Sequence, residues 1–224
     1  MRILYITATD AESFALSNIQ GISRAGNSFR FGNTEIELLV SGVGTVATAW
    51  SMMKWFSDNG RPDLAINGGI AGSFSENTYI GDVVMPVEEC FADAGIEDND
   101  EFRTLFEAGL TNPDEFPFIG GKLHSNEMFK QIYSEDISKV RAITTGTTTG
   151  SVNSREKLIH KYSPDIETME GAAFFYICAR ENVPFFALRA ISNKVGPRNR
   201  KEWNIALALQ NLSGAINDVL LKLQ

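Results

Sequence analysis

Glu167-Thr168-Met169-Glu170-Gly171-Ala172-Ala173 and, one helical stretch later, Arg189-Ala190-Ile191-Ser192-Asn193-Lys194-Val195-Gly196 decide how this chain reads. In the first, an extended segment gives way at Met169-Glu170 to small residues that suit the start of a buried helix. In the second, Phe185 to Ile191 is an apolar run of strand length, with Ser192-Asn193 expected at its carboxyl end. Open α/β sheets bind ligands at such strand ends. Glu170 and Asn193 would then share one sheet mouth, where a carboxylate suits a diol and a carboxamide suits a heterocycle. A nucleoside is the ligand class that this pair implies.

Outward from there, short apolar runs alternate with helical patterns, the signature of a doubly wound α/β domain. Candidate strands are Ile3 to Thr7, Glu35 to Val40, Leu64 to Asn67, Asp82 to Pro86, Ala142 to Thr144 and Phe185 to Ile191. Candidate helices are Asp10 to Asn18, Thr45 to Phe56, Glu127 to Tyr133, Ser154 to His160, Glu170 to Glu181 and Trp203 to Leu223, the last long and amphipathic. Glu88 to Phe118 lacks clear periodicity, and its run Glu97-Asp98-Asn99-Asp100-Glu101 reads as a solvated loop rather than a metal site. No repeat or low-complexity segment interrupts the pattern, so one domain spanning residues 1–224 is expected.

At 224 residues and 43% hydrophobic composition the chain can bury a full core. Its formal charge of -8 argues against a nucleic-acid polymer as partner, because phosphate backbones are held by clustered Lys and Arg. Cys90 and Cys178 are far apart and flanked by residues that look buried, which predicts reduced core thiols. Met1-Arg2-Ile3-Leu4-Tyr5-Ile6 runs straight into a core strand, and no apolar run reaches about twenty residues. A cytoplasmic protein that does not engage a membrane is the expectation.

Two glycine clusters, Ser41-Gly42-Val43-Gly44 and Asn67-Gly68-Gly69-Ile70-Ala71-Gly72, fall at expected strand ends. Each reads first as a tight strand-to-helix turn, and secondarily as backbone that a ligand approaches closely. Neither matches a phosphate loop or a dinucleotide fingerprint. Gly146-Thr147-Thr148-Thr149-Gly150-Ser151 would set backbone groups beside a heterocycle. Thr9 and Glu12 have capping-box spacing, which leaves Glu12 open to two readings, a helix-start residue or a general base at the site mouth. Glu170 could equally answer a helix dipole, and Asn193 could satisfy its own turn. His124 and His160 lack partners at metal-ligand spacing and read as surface or capping residues, so no metal is expected.

The combination resembles the nucleoside phosphorylase and nucleosidase superfamily over nearly the whole chain. Its carriers are the Glu12 segment, Ser41-Gly42-Val43-Gly44, Asn67 to Gly72, Ile80-Gly81-Asp82-Val83-Val84, Met169-Glu170 and Arg189-Ala190-Ile191-Ser192. Within it, the futalosine hydrolases are the branch most similar, on Met169-Glu170-Gly171-Ala172-Ala173 and the tail Ile191 to Arg200 with Trp203. The resemblance implies a central twisted mixed sheet flanked by helices on both faces and no cofactor. It also implies a homodimer whose partner loop lies near the 5′ end of the substrate.

It further implies roles. Glu12 matches the carboxylate that activates water, Glu170 the one that binds the ribose hydroxyls, and Met169 the side chain packed on the sugar. Gly69, Ile70, Thr148 and Thr149 fall among the substrate-binding positions. Asn193 stands where adenine-specific relatives carry aspartate, and its amide hydrogens suit a 6-oxo base. Where the phosphorylases place an arginine and a serine for phosphate, this chain has Asn67 and Ile70, so water is the expected nucleophile. Arg198 or Arg200 would meet the carboxylate of a futalosine-like substrate. The expected reaction is cleavage of futalosine to hypoxanthine and dehypoxanthinyl futalosine. A methylthioadenosine and adenosylhomocysteine nucleosidase, disfavoured by Asn193, and a non-catalytic nucleoside-binding protein are the alternatives.

Overall fold

The computed structural model describes residues 1–99, 101–125 and 137–224. In chain order the strands and helices are β1 (Arg2–Thr7), α1 (Asp10–Ser17), β2 (Ser23–Ala25), β3 (Ser28–Phe31), β4 (Thr34–Val40), α2 (Thr45–Asn59), β5 (Leu64–Ser73), β6 (Val83–Glu89), β7 (Gly95–Asp98) and β8 (Glu101–Thr104). They continue with β9 (Leu123–His124), β10 (Ser138–Thr144), α3 (Val152–Tyr162), β11 (Ile166–Thr168), α4 (Gly171–Arg180), β12 (Phe185–Lys194) and α5 (Ile205–Lys222). The expected helix from Glu127 to Tyr133 lies outside the described residues.

The architecture is α/β, with a mixed sheet ordered β11-β10-β6-β12-β5-β1-β4-β3-β2. β5 runs parallel to both β1 and β12, whereas β12 and β6 are antiparallel. β5 also pairs antiparallel with β11, through Ser73 with Ile166 and Gly72 with Glu167. That pairing closes β5, β12, β6, β10 and β11 into a ring. One apolar layer joins Ile3, Tyr5, Ile66 and Leu188 to Leu16 of α1 and Leu212 and Ile216 of α5. A second joins Leu4, Ile6 and Ala187 to Met52 and Phe56 of α2 and Phe174 and Phe175 of α4. Helices therefore cover both faces. Both cysteines are free and buried, and burial pushes the Cys90 thiol up to about 12.

Three expectations need correction. Asn67 to Gly72 is not a turn after a strand, because β5 continues through it to Ser73 and pairs with β12 along the way. Glycine there serves close approach: a Cβ on Gly69 would stand 2.8 Å from Glu12 Oε1. In the same way β12 extends past its expected end at Ile191 to Lys194, so Ser192 and Asn193 at its carboxyl end are part of the strand, at a register irregularity between Ile191 and Asn193. Of the acidic run, Glu97 and Asp98 belong to β7 and Glu101 to β8, paired as a hairpin rather than lying in loop; the ladder is made by backbone and is indifferent to side-chain charge. His124 is exposed in β9 and His160 is exposed in the last turn of α3.

Candidate active site

Where β1, β5, β11 and β12 end, they frame a cavity of about 560 Å³, a size suited to a nucleoside. Thr9, Glu12, Ile70, Glu170, Asn193 and Arg198 all line it. The carboxylate of Glu12 is buried and oriented by three hydrogen bonds, which leave one lone pair of Oε1 open. Its Oε2 accepts from the Thr9 N–H (3.0 Å) and the Thr9 hydroxyl (2.9 Å), and its Oε1 accepts from the Ile70 N–H (3.0 Å). The capping box is complete, since Thr9 Oγ1 in turn accepts from the Glu12 N–H. The two readings of Glu12 are thus compatible: the cap is the device that holds the carboxylate against β5 at the cavity wall. Gly69 does not line the cavity. It leaves room for Glu12 instead.

Glu170 occupies the N-cap position of α4 without capping it, and its Oε1 accepts from the Gly44 N–H (2.9 Å). Gly42 and Gly44 have φ of 88° and 90°, a left-handed turn that only glycine adopts without strain and that aims this N–H across the cavity. Burial raises Glu170 above the ordinary carboxylate range; the Gly44 contact and the charge of Arg189 oppose the rise, and Glu12 adds to it. Met169 lies beside Glu170 on the same wall. Two carboxylates thus face one cavity from different elements, each oriented by backbone N–H groups.

Asn193 presents its amide in a fixed sense. Oδ1 accepts from the Ser192 hydroxyl (2.8 Å), and Nδ2 donates to the Lys194 carbonyl (2.9 Å). An amide nitrogen carries two hydrogens, so one remains for a ligand. Asn67 is wholly internal: Nδ2 donates to the Ile6 carbonyl (2.9 Å) and Oδ1 accepts from Arg189. The buried Arg189 guanidinium is spent on Asn67 and on the Leu188 carbonyl. Ile70 lines the cavity, and its N–H is already bonded to Glu12.

The expected heterocycle loop differs in detail. Thr148 lines the cavity, but Thr149 turns its N–H (2.9 Å) and hydroxyl to Glu167 rather than offering them to a ligand. Glu167 is a buried wall residue for which the sequence reading had no role. At the rim, Arg198 stacks its guanidinium 5.6 Å from the Trp203 ring centroid, while Arg200 begins a short 3-10 turn away from the cavity wall. Lys194 reaches the rim too, but its ammonium is tied to the carbonyls of Ser75 and Thr78.

Known proteins are similar to this chain in sequence and fold. The profile of the phosphorylase superfamily fits residues 5–221. The chain belongs to that superfamily. Among curated superfamily members, the futalosine hydrolase of Streptomyces coelicolor is 28% identical over 227 residues, covering 96% of this chain and 94% of its own. Among solved structures, futalosine hydrolase of Helicobacter pylori superposes with a TM-score of 0.80 at 16% identity, covering 99% of this chain and 98% of that one. A 5′-methylthioadenosine/S-adenosylhomocysteine nucleosidase from S. pneumoniae, solved with a transition-state inhibitor, gives 0.81 at 20% identity over the full length of both. These superpositions establish the superfamily fold, a mixed sheet between helices. No helix among the described residues is long and apolar enough to cross a membrane.

Proposed function

We propose that this phosphorylase superfamily member is a nucleosidase that hydrolyses the N-glycosidic bond of futalosine, releasing hypoxanthine and dehypoxanthinyl futalosine on the futalosine route to menaquinone. The observation that carries the reading is the Glu12 carboxylate, held on three donors beside an aliphatic wall where a phosphate cradle would otherwise lie. Such a carboxylate orients a water and takes its proton as the water attacks the anomeric carbon. Glu170 accepts the ribose 2′ and 3′ hydroxyls, and its negative charge favours the oxocarbenium-like transition state. Met169 packs on the sugar, and Asn193 donates to the departing 6-oxopurine without serving as an acid. Arg198, over the Trp203 ring at the rim, suits the terminal carboxylate of futalosine, since a guanidinium fork matches a carboxylate.

The site works without cofactor or metal and acts on a small nucleoside in the cytoplasm. α2 turns Val46, Trp50 and Met53 outward at helical spacing, 82%, 67% and 40% exposed, next to Val43 at the cavity wall. That apolar face is where a second copy completes a homodimer, which sedimentation would report as twice the chain mass. The deciding experiment incubates the purified protein, in phosphate-free buffer, with futalosine, inosine and methylthioadenosine and chromatographs the released base. Hypoxanthine released from futalosine is expected. Cleavage of methylthioadenosine alone, or a requirement for phosphate, would overturn the assignment.

A further inference from the structure

Gly72 of β5 has a partner on each side. In the β12 ladder it pairs with Asn193, and in the β11 ladder with Glu167. Residues paired across a ladder project to the same face of a sheet, and the side chains of both partners line the cavity. Gly72 itself adds no side chain between them. A Cβ there would stand 2.8 Å from Val195 Cγ2 and 3.2 Å from Asn193 Nδ2, so the valine methyl and the amide both lean over the glycine. Strands lie roughly 4.8 Å apart, which puts the Asn193 and Glu167 backbones about 10 Å from one another.

Glu167 is 6% exposed. Thr149 supplies both of its protein donors, the N–H to Oε1 and the hydroxyl to Oε2, and each oxygen keeps a second lone pair. Among the described residues no Lys, Arg or His stands within ion-pair distance of it. A buried carboxylate that lacks a cation demands a further donor. Burial raises its affinity for a proton, which the Thr149 contacts only partly offset. The complement of an acceptor on one side of the gap and an amide donor on the other is a lactam, a carbonyl beside an N–H. A 6-oxopurine carries one, with O6 next to N1–H. A 6-aminopurine has a bare lone pair at N1, which a carboxylate repels.

We propose that Glu167 is a specificity-determining residue that accepts the N1–H of a 6-oxopurine held across Gly72 from Asn193. This rests on the nucleosidase reading above, and it divides base recognition between two strands. Thr149 positions the carboxylate, which accounts for a loop residue directing both its donors away from the ligand.

The test titrates hypoxanthine and adenine calorimetrically into the wild type and into Glu167→Gln. The variant should bind hypoxanthine about ten- to a hundred-fold more weakly, as expected when a buried polar contact is left unpaired. Adenine binding should hold or improve, because the new amide can donate to N1. Equal losses for both bases, or unchanged hypoxanthine binding in a folded variant, would mean that Glu167 merely anchors the Thr149 loop, and would overturn the proposal. Should the variant not fold, hypoxanthine and 1-methylhypoxanthine are compared on the wild type. The N-methyl base should then bind at least about tenfold more weakly, and equal affinities would overturn the proposal. A wild type that releases no hypoxanthine from futalosine would refute the function above while leaving this base titration decisive for Glu167.

Discussion

Replacing Glu12 by glutamine should damage catalysis and stability together. The carboxylate accepts three hydrogen bonds, two from Thr9 and one from the Ile70 N–H. Glutamine has one acceptor oxygen and one donor nitrogen. If the oxygen faces Thr9, the amide nitrogen confronts the Ile70 N–H; if it is flipped, the nitrogen confronts the Thr9 N–H. Either way a buried backbone donor loses its partner, which costs about 1 to 3 kcal/mol. For a chain of this length that corresponds to a fall in Tm of roughly 2 to 10 °C. Turnover should fall about a hundred- to ten-thousand-fold through loss of the general base, while substrate still binds. The assay pairs differential scanning calorimetry with hypoxanthine release under saturating futalosine. Turnover within a few-fold of wild type would refute the catalytic role, and an unchanged Tm would refute the hydrogen-bond account.

Glu170→Ala should raise KM and lower kcat, by on the order of a hundredfold in kcat/KM, and activity indifferent to the change would remove Glu170 from the ribose. Asn193→Asp places a carboxyl oxygen against the Lys194 carbonyl, which favours the protonated acid. The ratio of kcat/KM for futalosine to that for its 6-amino analogue should therefore drop about ten- to a hundred-fold, and a constant ratio in a folded variant would place Asn193 away from the base. Arg198→Ala should cost futalosine at least about tenfold in kcat/KM and leave inosine nearly untouched, whereas equal losses would count against a carboxylate contact. Buried Glu89 beneath α4 is pushed up by burial to about 7, against the charge of Arg189 and the hydroxyls of Thr144 and Thr168. Between the unfolded carboxylate value near 4.5 and about 7 the folded state keeps a proton that the unfolded state gives up, so stability falls as pH rises through that window, by on the order of 3 kcal/mol in total. Glu89→Gln should flatten the curve of Tm against pH there, and an unaltered curve would show that another group titrates.

What could be read from the sequence follows physical range. Periodicity located β1, β4, α1, α2 and α5 because the apolar residues that define them are neighbours in the chain. Thr9 and Glu12 were legible as a box for the same reason, since capping acts over three residues. The hairpins β2–β3 and β7–β8 were missed because their short, mostly exposed strands carry no run of alternating apolar residues, although their partners are local; other misses depend on distant partners. β11 is three residues long and is fixed by β10 and β5, and the glycines of β5 gave the composition of a turn while the backbone obeyed β1 and β12. Glu167 escaped for a related reason. Its significance lies in sharing Gly72 with Asn193, a meeting of residues 72, 167 and 193 that no local spacing records.

The ring closed by β5 and β11 divides the cavity into a part that cannot give and a part that can. To loosen the wall around Gly72, two ladders must break at once, so that wall opens only at a cost approaching global unfolding. Arg198 and Trp203, by contrast, stand on exposed chain around a 3-10 turn of three residues. A lineage using this scaffold can therefore trade one 5′ substituent for another by small changes at the rim, each tested separately. With the base placed over Gly72 as proposed, exchanging it would require coordinated substitutions on strands that share a single glycine. On such a frame the leaving group is inherited, and the tail of the substrate is what evolution is free to explore.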